Sequence, residues 1–408
     1  MSPLSPIKAP DETPVAPGPT FRLPFDPVLS AAVIGLGICS VVTLGAATRN
    51  LVAGHPHYYV DRQAVYLGVG FVCMLVLSRL DYTRLRRLKY ALYATLMLSI
   101  LAVLAVGHAA KGSVRAINLP LFSFQASELG KVLLIVALSA LLVDRARELR
   151  RRDTTIRLII AALIPAMLVI AQPDLGSGLV YMTVAYMLLF IAGTSWRQLA
   201  ALAALVCVAA TFVLVAAPAV GIHVLKPYQT ERLTAFLHPS SVSGSHKEGS
   251  TEPATDPTYQ QQESKIAIGA GQKTGRGAKT SQVPNGFVPE SHTDFIFAAV
   301  GEEYGFVGAG LVLLLYALLI WRALRVLVMA KDLFGTLIAA GVAAMLMFQV
   351  FVNVGMTIGI MPITGVTLPL MSYGGSSVIT TLLAVGLLQS IYVQARASAS
   401  LKGRVLRF

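Results

Sequence analysis

Residues 335–358 read GTLIAAGVAAMLMFQVFVNVGMTI, an unbroken stretch with no Asp, Glu, Lys, Arg or His. As a helix rising about 1.5 Å per residue it is about 36 Å long, enough to cross a hydrocarbon core about 30 Å thick. The stretch lacks the period-two alternation that a barrel strand of ~10 residues shows, so an α-helical span is the reading. In lipid a helix also satisfies its own backbone donors and acceptors.

Working outward, nine further stretches meet the same requirement: 28–47, 63–80, 89–107, 127–143, 155–172, 176–193, 199–220, 295–320 and 372–394. They predict an all-α integral membrane protein, a bundle of about ten transmembrane helices with a large extracytoplasmic loop between helices seven and eight. The whole chain agrees. It has 408 residues, 55% of them hydrophobic and 13% charged, against about 25% charged in an average soluble domain. A water-soluble protein is excluded.

The formal net charge of +13 would suggest nucleic acid in a soluble protein, but its distribution says otherwise. Arg79, Arg84, Arg86, Arg87 and Lys89 join spans two and three, and Arg145, Arg147, Arg150, Arg151, Arg152 and Arg157 join four and five. Arg197, Arg322, Arg325 and Lys331 fall in later loops of that face. With both tails this face holds 21 basic residues, against five (Arg49, Arg62, Lys111, Arg115 and Lys131) in the short loops opposite. The positive face of a membrane protein is cytoplasmic. Both termini are therefore expected in the cytoplasm, the partner of the basic residues is the lipid bilayer, and no nucleic acid is involved.

Three parts follow. Residues 1–27, with eight prolines and no apolar core, read as a disordered cytoplasmic tail and not as a cleavable signal. Residues 28–394 form the membrane domain, and 395–408 a basic cytoplasmic tail. Within the domain, 221–294 is a long extracytoplasmic segment. Its middle, Ser240–Pro257, reads as a mobile insertion, whereas Pro227–Pro239 and Gln261–Gly277 are expected to fold back onto the membrane surface. Cys39, Cys73 and Cys207 lie in apolar runs, so no disulfide framework or thiolate metal site is expected. His55-x-His57 is the nearest approach to ligand spacing, and no metal site is assigned.

Polar residues near membrane depth are costly and mark function by default. They gather in four places on the extracytoplasmic face. Phe287–Phe295 (FVPESHTDF) leads into span eight, with Glu302 and Glu303 two turns on. Asp294 is either a cap of that helix or a general base, and spacing alone leaves both open. Phe124–Lys131 (FQASELGK) opens span four. Ser127 is a candidate cap, Glu128 and Lys131 can pair at i, i+3, and Lys131 beside a helix N-terminus also suits phosphate. Gln172–Ser177 (QPDLGS) breaks the chain between spans five and six, with Asp174 a cap or a binding residue. Finally, Asn353–Ser377 (NVGMTIGIMPITGVTLPLMSYGGSS) offers Ser372, Tyr373, Ser376 and Ser377 as donors at headgroup level.

These residues resemble the SEDS family (shape, elongation, division and sporulation), which includes RodA and FtsW. The signature runs without a gap from Asn353 through Gly359-Ile360-Met361-Pro362 and Gly365 to Leu370-Met371-Ser372-Tyr373-Gly374-Gly375-Ser376-Ser377. Pro289-Glu290-x-His292-Thr293-Asp294, Glu302-Glu303-x-Gly305 and Gln172-Pro173-Asp174-Leu175-Gly176 also fit.

The resemblance implies a peptidoglycan glycosyltransferase of the bacterial cytoplasmic membrane that works with a class B penicillin-binding protein, a transpeptidase. Its implied substrate is lipid II, and the family's catalytic carboxylate falls on Asp294. The departing undecaprenyl diphosphate needs positive charge, for which Lys131 is the first candidate and Arg232, Lys265 and Arg276 are further ones. Glu128, Asp174, Ser372, Tyr373 and Ser376 complete the candidate binding set. No cofactor is required; a divalent cation bridging the diphosphate to Glu128 or Asp294 is compatible with the motifs.

The chain departs from the family pattern at Arg115-Ala116, where Arg-Trp is usual, at Ala126, where Pro is usual, and in the longer insertion Ser240–Pro257. Gln262-x-Ser264-Lys265-Ile266-Ala267-Ile268-Gly269 and Tyr228-Gln229 resemble RodA more than FtsW. Two other readings stand beside the polymerase: a flippase for a lipid-linked precursor, and a non-catalytic scaffold for a penicillin-binding protein.

Overall fold

A computed structural model of the chain describes residues 25–51, 54–106, 108–110, 113–118, 123–149, 151–212, 257–277 and 290–405. The helices are α1 (Pro27–Ala47), α2 (Tyr58–Arg79), α3 (Lys89–Val106), α4 (Ala126–Asp144), α5 (Arg152–Ala171) and α6 (Leu175–Ile191). They continue with α7 (Trp196–Thr211), α8 (Pro257–Ala270), α9 (Ile296–Met329), α10 (Leu333–Ile358) and α11 (Gly375–Val405). Each expected span overlaps one helix of this set, and α8 is the added one.

Among the described residues, eight helices are long and apolar enough to cross a membrane; α6 and α7, at 17 and 16 described residues, are shorter. The chain is a multi-pass membrane protein. The seventh expected span runs on into residues outside the described set. Most of the N-terminal tail, the Pro227–Pro239 flank, nearly all of the Ser240–Pro257 insertion, Arg232, and residues 287–289 also lie outside it, whereas the expected C-terminal tail is described through Val405 and continues α11 as helix.

An addition to the all-helical reading lies between α3 and α4. His108–Ala110, Ser113–Asn118 and Ser123–Phe124 form a small antiparallel sheet in the order β1-β2-β3. Ala110 pairs with Ser113, and Ile117 with Phe124. This sheet carries Arg115 and Ala116 on its middle strand.

Burial sorts the bundle. In α4, α10 and α11, 78% of the span is buried, against 22% in α2 and 17% in the α3 span. The inner helices are apolar all round because they face protein on every side. Outer helices instead leave side chains such as Val72, Leu98 and Val208 exposed, the surface that lipid covers. Glycines permit the close contact of α2 with α11: a Cβ at Gly386 would lie 3.0 Å from the Met74 carbonyl oxygen. Small residues at such crossings let helix backbones approach.

The basic end of the bundle is fastened by ion pairs and caps. Asp26, fully buried, caps α1 by accepting from the Val28 and Leu29 amides and pairs with Arg322 of α9. Gln389 of α11 accepts from the Asp26 amide at 2.7 Å. Asp144, at the end of α4, pairs with Arg86 and Lys89. Asp332 caps α10 and accepts from Tyr82 at 2.8 Å.

Helix α9 is broken at Gly305, whose φ of 63° and ψ of −160° belong to glycine alone. The glycine-rich strap that follows α8 fills the break. Its Arg276 and Gly277 amides donate to the Glu302 and Glu303 carbonyls, while the Phe306 and Val307 amides donate to Gln272 and Lys273 carbonyls. Four backbone groups that the break would orphan in lipid are thereby satisfied. Gly305→Ala is expected to cost about 1–3 kcal/mol from backbone strain. It also displaces the strap, because a Cβ would press on the Gly271 carbonyl oxygen at 2.8 Å. A lowered thermal unfolding midpoint in detergent, with faster hydrogen exchange at 271–277, is the measurement.

Candidate active site

The four polar stretches, far apart in the chain, meet at the end of the bundle opposite the ion-paired one. Their contacts link in sequence. Asn353, buried in α10, donates its side-chain amide to the Asp294 carbonyl at 2.8 Å and to the Val366 carbonyl at 2.7 Å. The loop carrying Val366 lies against Gly176, where a Cβ would meet the Thr364 carbonyl at 2.7 Å. Two residues earlier, Asp174 caps α6 through the Ser177 amide (3.1 Å). Its other oxygen accepts from Ser127 (2.8 Å) and Gln125 (3.1 Å) at the start of α4. Gln125 closes the ring, since its amide donates to Ser376 at 3.0 Å and Ser376 donates to the Ser123 carbonyl at 2.8 Å.

Asp294 lies half-buried in the turn that precedes α9. The capping position of α9 is Phe295, one residue on, which makes no side-chain cap bond. Thr293 donates instead to Glu290 at 3.0 Å. The turn is held from outside itself. Ser372 donates to the Thr293 carbonyl at 2.6 Å and the Tyr373 amide to the His292 carbonyl at 2.8 Å. Such fastening positions a reacting group without leaving it to loop motion.

Several expected contacts take other forms. Ser127 is not the cap of α4; Gln125 occupies that position without a side-chain cap bond, and the Ser127 hydroxyl turns to Asp174. The reason is the nearby carboxylate, which accepts the hydroxyl's proton in a charge-assisted bond, whereas the helix's free amides are donors and offer it no acceptor. Glu128 and Lys131 form the i, i+3 pair at 2.7 Å, with only 6% and 2% of their side chains exposed. Lys131 therefore points inward, engaged with a carboxylate. Asp174 has both oxygens occupied by the protein and serves as a tie between α4 and α6.

Ser372 and Ser376 likewise brace backbone segments. Lys265 is exposed on α8, and its chain covers Gly359, the left-handed residue that ends α10. Arg276 of the strap approaches Glu302 of α9 at 3.8 Å. Arg232 lies outside the described residues. Among the described residues no group of three or more His, Cys, Asp or Glu side chains is placed to hold a metal ion.

Sequence reading missed Gln63 and Ser40. Gln63 donates to Ser40 at 3.0 Å and to the Ser372 carbonyl at 3.3 Å, and Ser40 donates to the Met371 carbonyl at 2.9 Å. Both are fully buried. The signal was present, because a polar side chain inside an apolar span needs a partner. Asn353→Ala should cost about 1–3 kcal/mol by removing two hydrogen bonds, one of them to the buried Val366 carbonyl. It should also loosen the Asp294 turn, read as slower turnover at saturating substrate.

Residues 26–397 match the sequence model FTSW_RODA_SPOVE, described as a cell cycle protein. The chain belongs to the FtsW/RodA/SpoVE family. Similar to this family member is the probable peptidoglycan glycosyltransferase FtsW of Thioalkalivibrio sulfidiphilus, 36% identical over 92% of this chain and 90% of that one. Stage V sporulation protein E of Bacillus subtilis is 30% identical over 89% and 95%.

Among solved structures, a chain from a peptidoglycan synthase complex that coordinates polymerization and crosslinking superposes with a TM-score of 0.72. It shares 32% identity, covering 92% of this chain and 99% of that one. The rod shape determining protein RodA of Thermus thermophilus gives a TM-score of 0.65 at 30% identity, covering 91% and 97%. The likeness of this FtsW/RodA/SpoVE protein thus extends to relatives bearing all three names.

Proposed function

We propose that this chain is a peptidoglycan glycosyltransferase that polymerises lipid II during cell-wall elongation, with Asp294 as general base. The acceptor GlcNAc 4-hydroxyl loses its proton to the Asp294 carboxylate as its oxygen bonds to the anomeric carbon of the donor MurNAc. The bond from that carbon to the phosphate oxygen breaks, and undecaprenyl diphosphate leaves with the electron pair. The observation that carries the reading is the hydrogen-bonded ring that ties the four polar motifs together at one end of an apolar bundle, with half-buried Asp294 in the turn it fastens. A lipid-linked substrate presents its sugar at that depth.

The bundle sits in the bacterial cytoplasmic membrane with both termini in the cytoplasm, the orientation that the basic loops favour. Its partner is a class B penicillin-binding protein, which crosslinks the strands made here. The likeness to a chain from a synthase complex supports that pairing.

The deciding experiment is lipid II polymerisation by the purified protein in detergent, with and without its cognate transpeptidase. Glycan strands formed where there is no second compartment argue against a flippase, and strands formed by the chain itself argue against a scaffold. No product under either condition removes the assignment. The reaction as written needs no cofactor, so polymerisation is expected to persist in EDTA; loss of product restored by a divalent cation would place a metal on the diphosphate.

A further inference from the structure

Beside the Asp294 turn, the outer end of α2 meets the turn before α11 in a cluster of rings. The Tyr59 ring centre lies 4.8 Å from that of His292 and 4.9 Å from that of Tyr373, and the two tyrosine planes cross at 87°. Tyr58 crosses Tyr59 at 5.3 Å, also at 87°. Buried Tyr66 backs Tyr373 at 6.1 Å. The guanidinium carbon of Arg62 lies 4.5 Å above the Tyr58 ring, and the Arg62 side chain reaches that of Tyr373.

Three features separate this cluster from ordinary core packing. Tyr58 is 39% exposed, and Tyr59, Arg62, His292 and Tyr373 are only half-buried, so the rings form a surface and not an interior. Among the described residues no carboxylate lies within ion-pair reach of Arg62, whereas Lys131 and Arg276 face Glu128 and Glu302. The cluster is also tied directly to the proposed base: His292 is two residues from Asp294, and its carbonyl accepts from the Tyr373 amide at 2.8 Å.

Ring faces set at right angles make a corner that suits a pyranose, whose C–H face is apolar and whose rim is polar. An arginine held in place by tyrosines offers a fork of donors matched to phosphate oxygens. We propose that Tyr59, His292 and Tyr373 form a saccharide platform, and that Arg62 contacts the diphosphate of the same lipid-linked sugar, presenting its anomeric carbon toward Asp294. This inference rests on the glycosyltransferase reading and adds a subsite to it.

The test uses the full-length chain carrying Asp294→Asn to stop turnover, with binding of two probes measured: lipid II, and undecaprenyl diphosphate without sugar. Arg62→Ala should weaken both probes by roughly 10- to 100-fold, the worth of a charge-assisted contact. Arg62→Lys, which keeps charge and fold, should fall between. Tyr59→Ala should weaken lipid II alone by about tenfold, and Tyr59→Phe should restore it, because the ring face and not the hydroxyl does the work. Binding of lipid II within twofold of the parent in both Tyr59→Ala and Arg62→Ala overturns the platform alone, provided the unsubstituted chain polymerises lipid II. Neither binding nor polymerisation by the unsubstituted chain overturns the platform and the function together.

Discussion

Asp294→Asn is expected to reduce lipid II polymerisation by roughly 10²–10⁴-fold, the range for loss of a general base, while the protein stays folded and membrane-inserted. Asn keeps the shape of Asp, and the contact from Asn353 reaches the residue-294 backbone carbonyl, which the substitution retains. Thr293 and His292 keep their carbonyl contacts with Ser372 and Tyr373. The loss should therefore appear in the rate at saturating lipid II and not in its affinity, since the base acts in the transition state. Turnover equal to the parent's, at matched protein and partner concentrations, would remove Asp294 from the role. A fall in affinity with the rate intact would make it a binding residue.

Lys131→Ala is expected to destabilise the protein by about 3–5 kcal/mol, because it leaves the Glu128 charge unpaired in the bundle. Both side chains are almost wholly buried, and each is the other's ion-pair partner at 2.7 Å. The double variant Glu128→Leu, Lys131→Met removes both charges and should recover most of that stability. Thermal unfolding in detergent reads the first effect. Polymerisation by the double variant reads the second: a stable, active double variant makes the pair purely structural, whereas a stable, inactive one gives it a part in the chemistry.

The sequence made much of the fold legible, and for a local reason. A hydrocarbon core of fixed thickness imposes a length and an apolarity on every span, and each span carries both in its own residues. Helix ends were legible where a single residue decides them, as at Asp174 before α6 and Gly359 after α10. The short sheet between α3 and α4 was not, because strands of two to six residues carry too little periodicity to stand out from a loop. Nor was the strap in the break of α9. Gly305 marks a break, but only the position of Gly271–Gly277 shows what heals it.

At the site, the division falls between which residues matter and what each one does. The motifs identified Asp294, Asp174, Ser372 and the Glu128–Lys131 pair from local chemistry, since polar groups at membrane depth are conspicuous against their apolar surroundings. Their partners came from elsewhere in the chain. Ser127 turns from its own helix to a carboxylate 47 positions away, Asn353 reaches back 59 positions to Asp294, and Gln125 meets Ser376 across 251. Pairings of that range leave no periodicity in either stretch. By itself the sequence determined the spans and the polar residues between them. Only the tertiary structure decided that Lys131 faces inward while Arg62 faces outward among tyrosine rings, because burial is set by neighbouring helices and not by the helix that bears the charge.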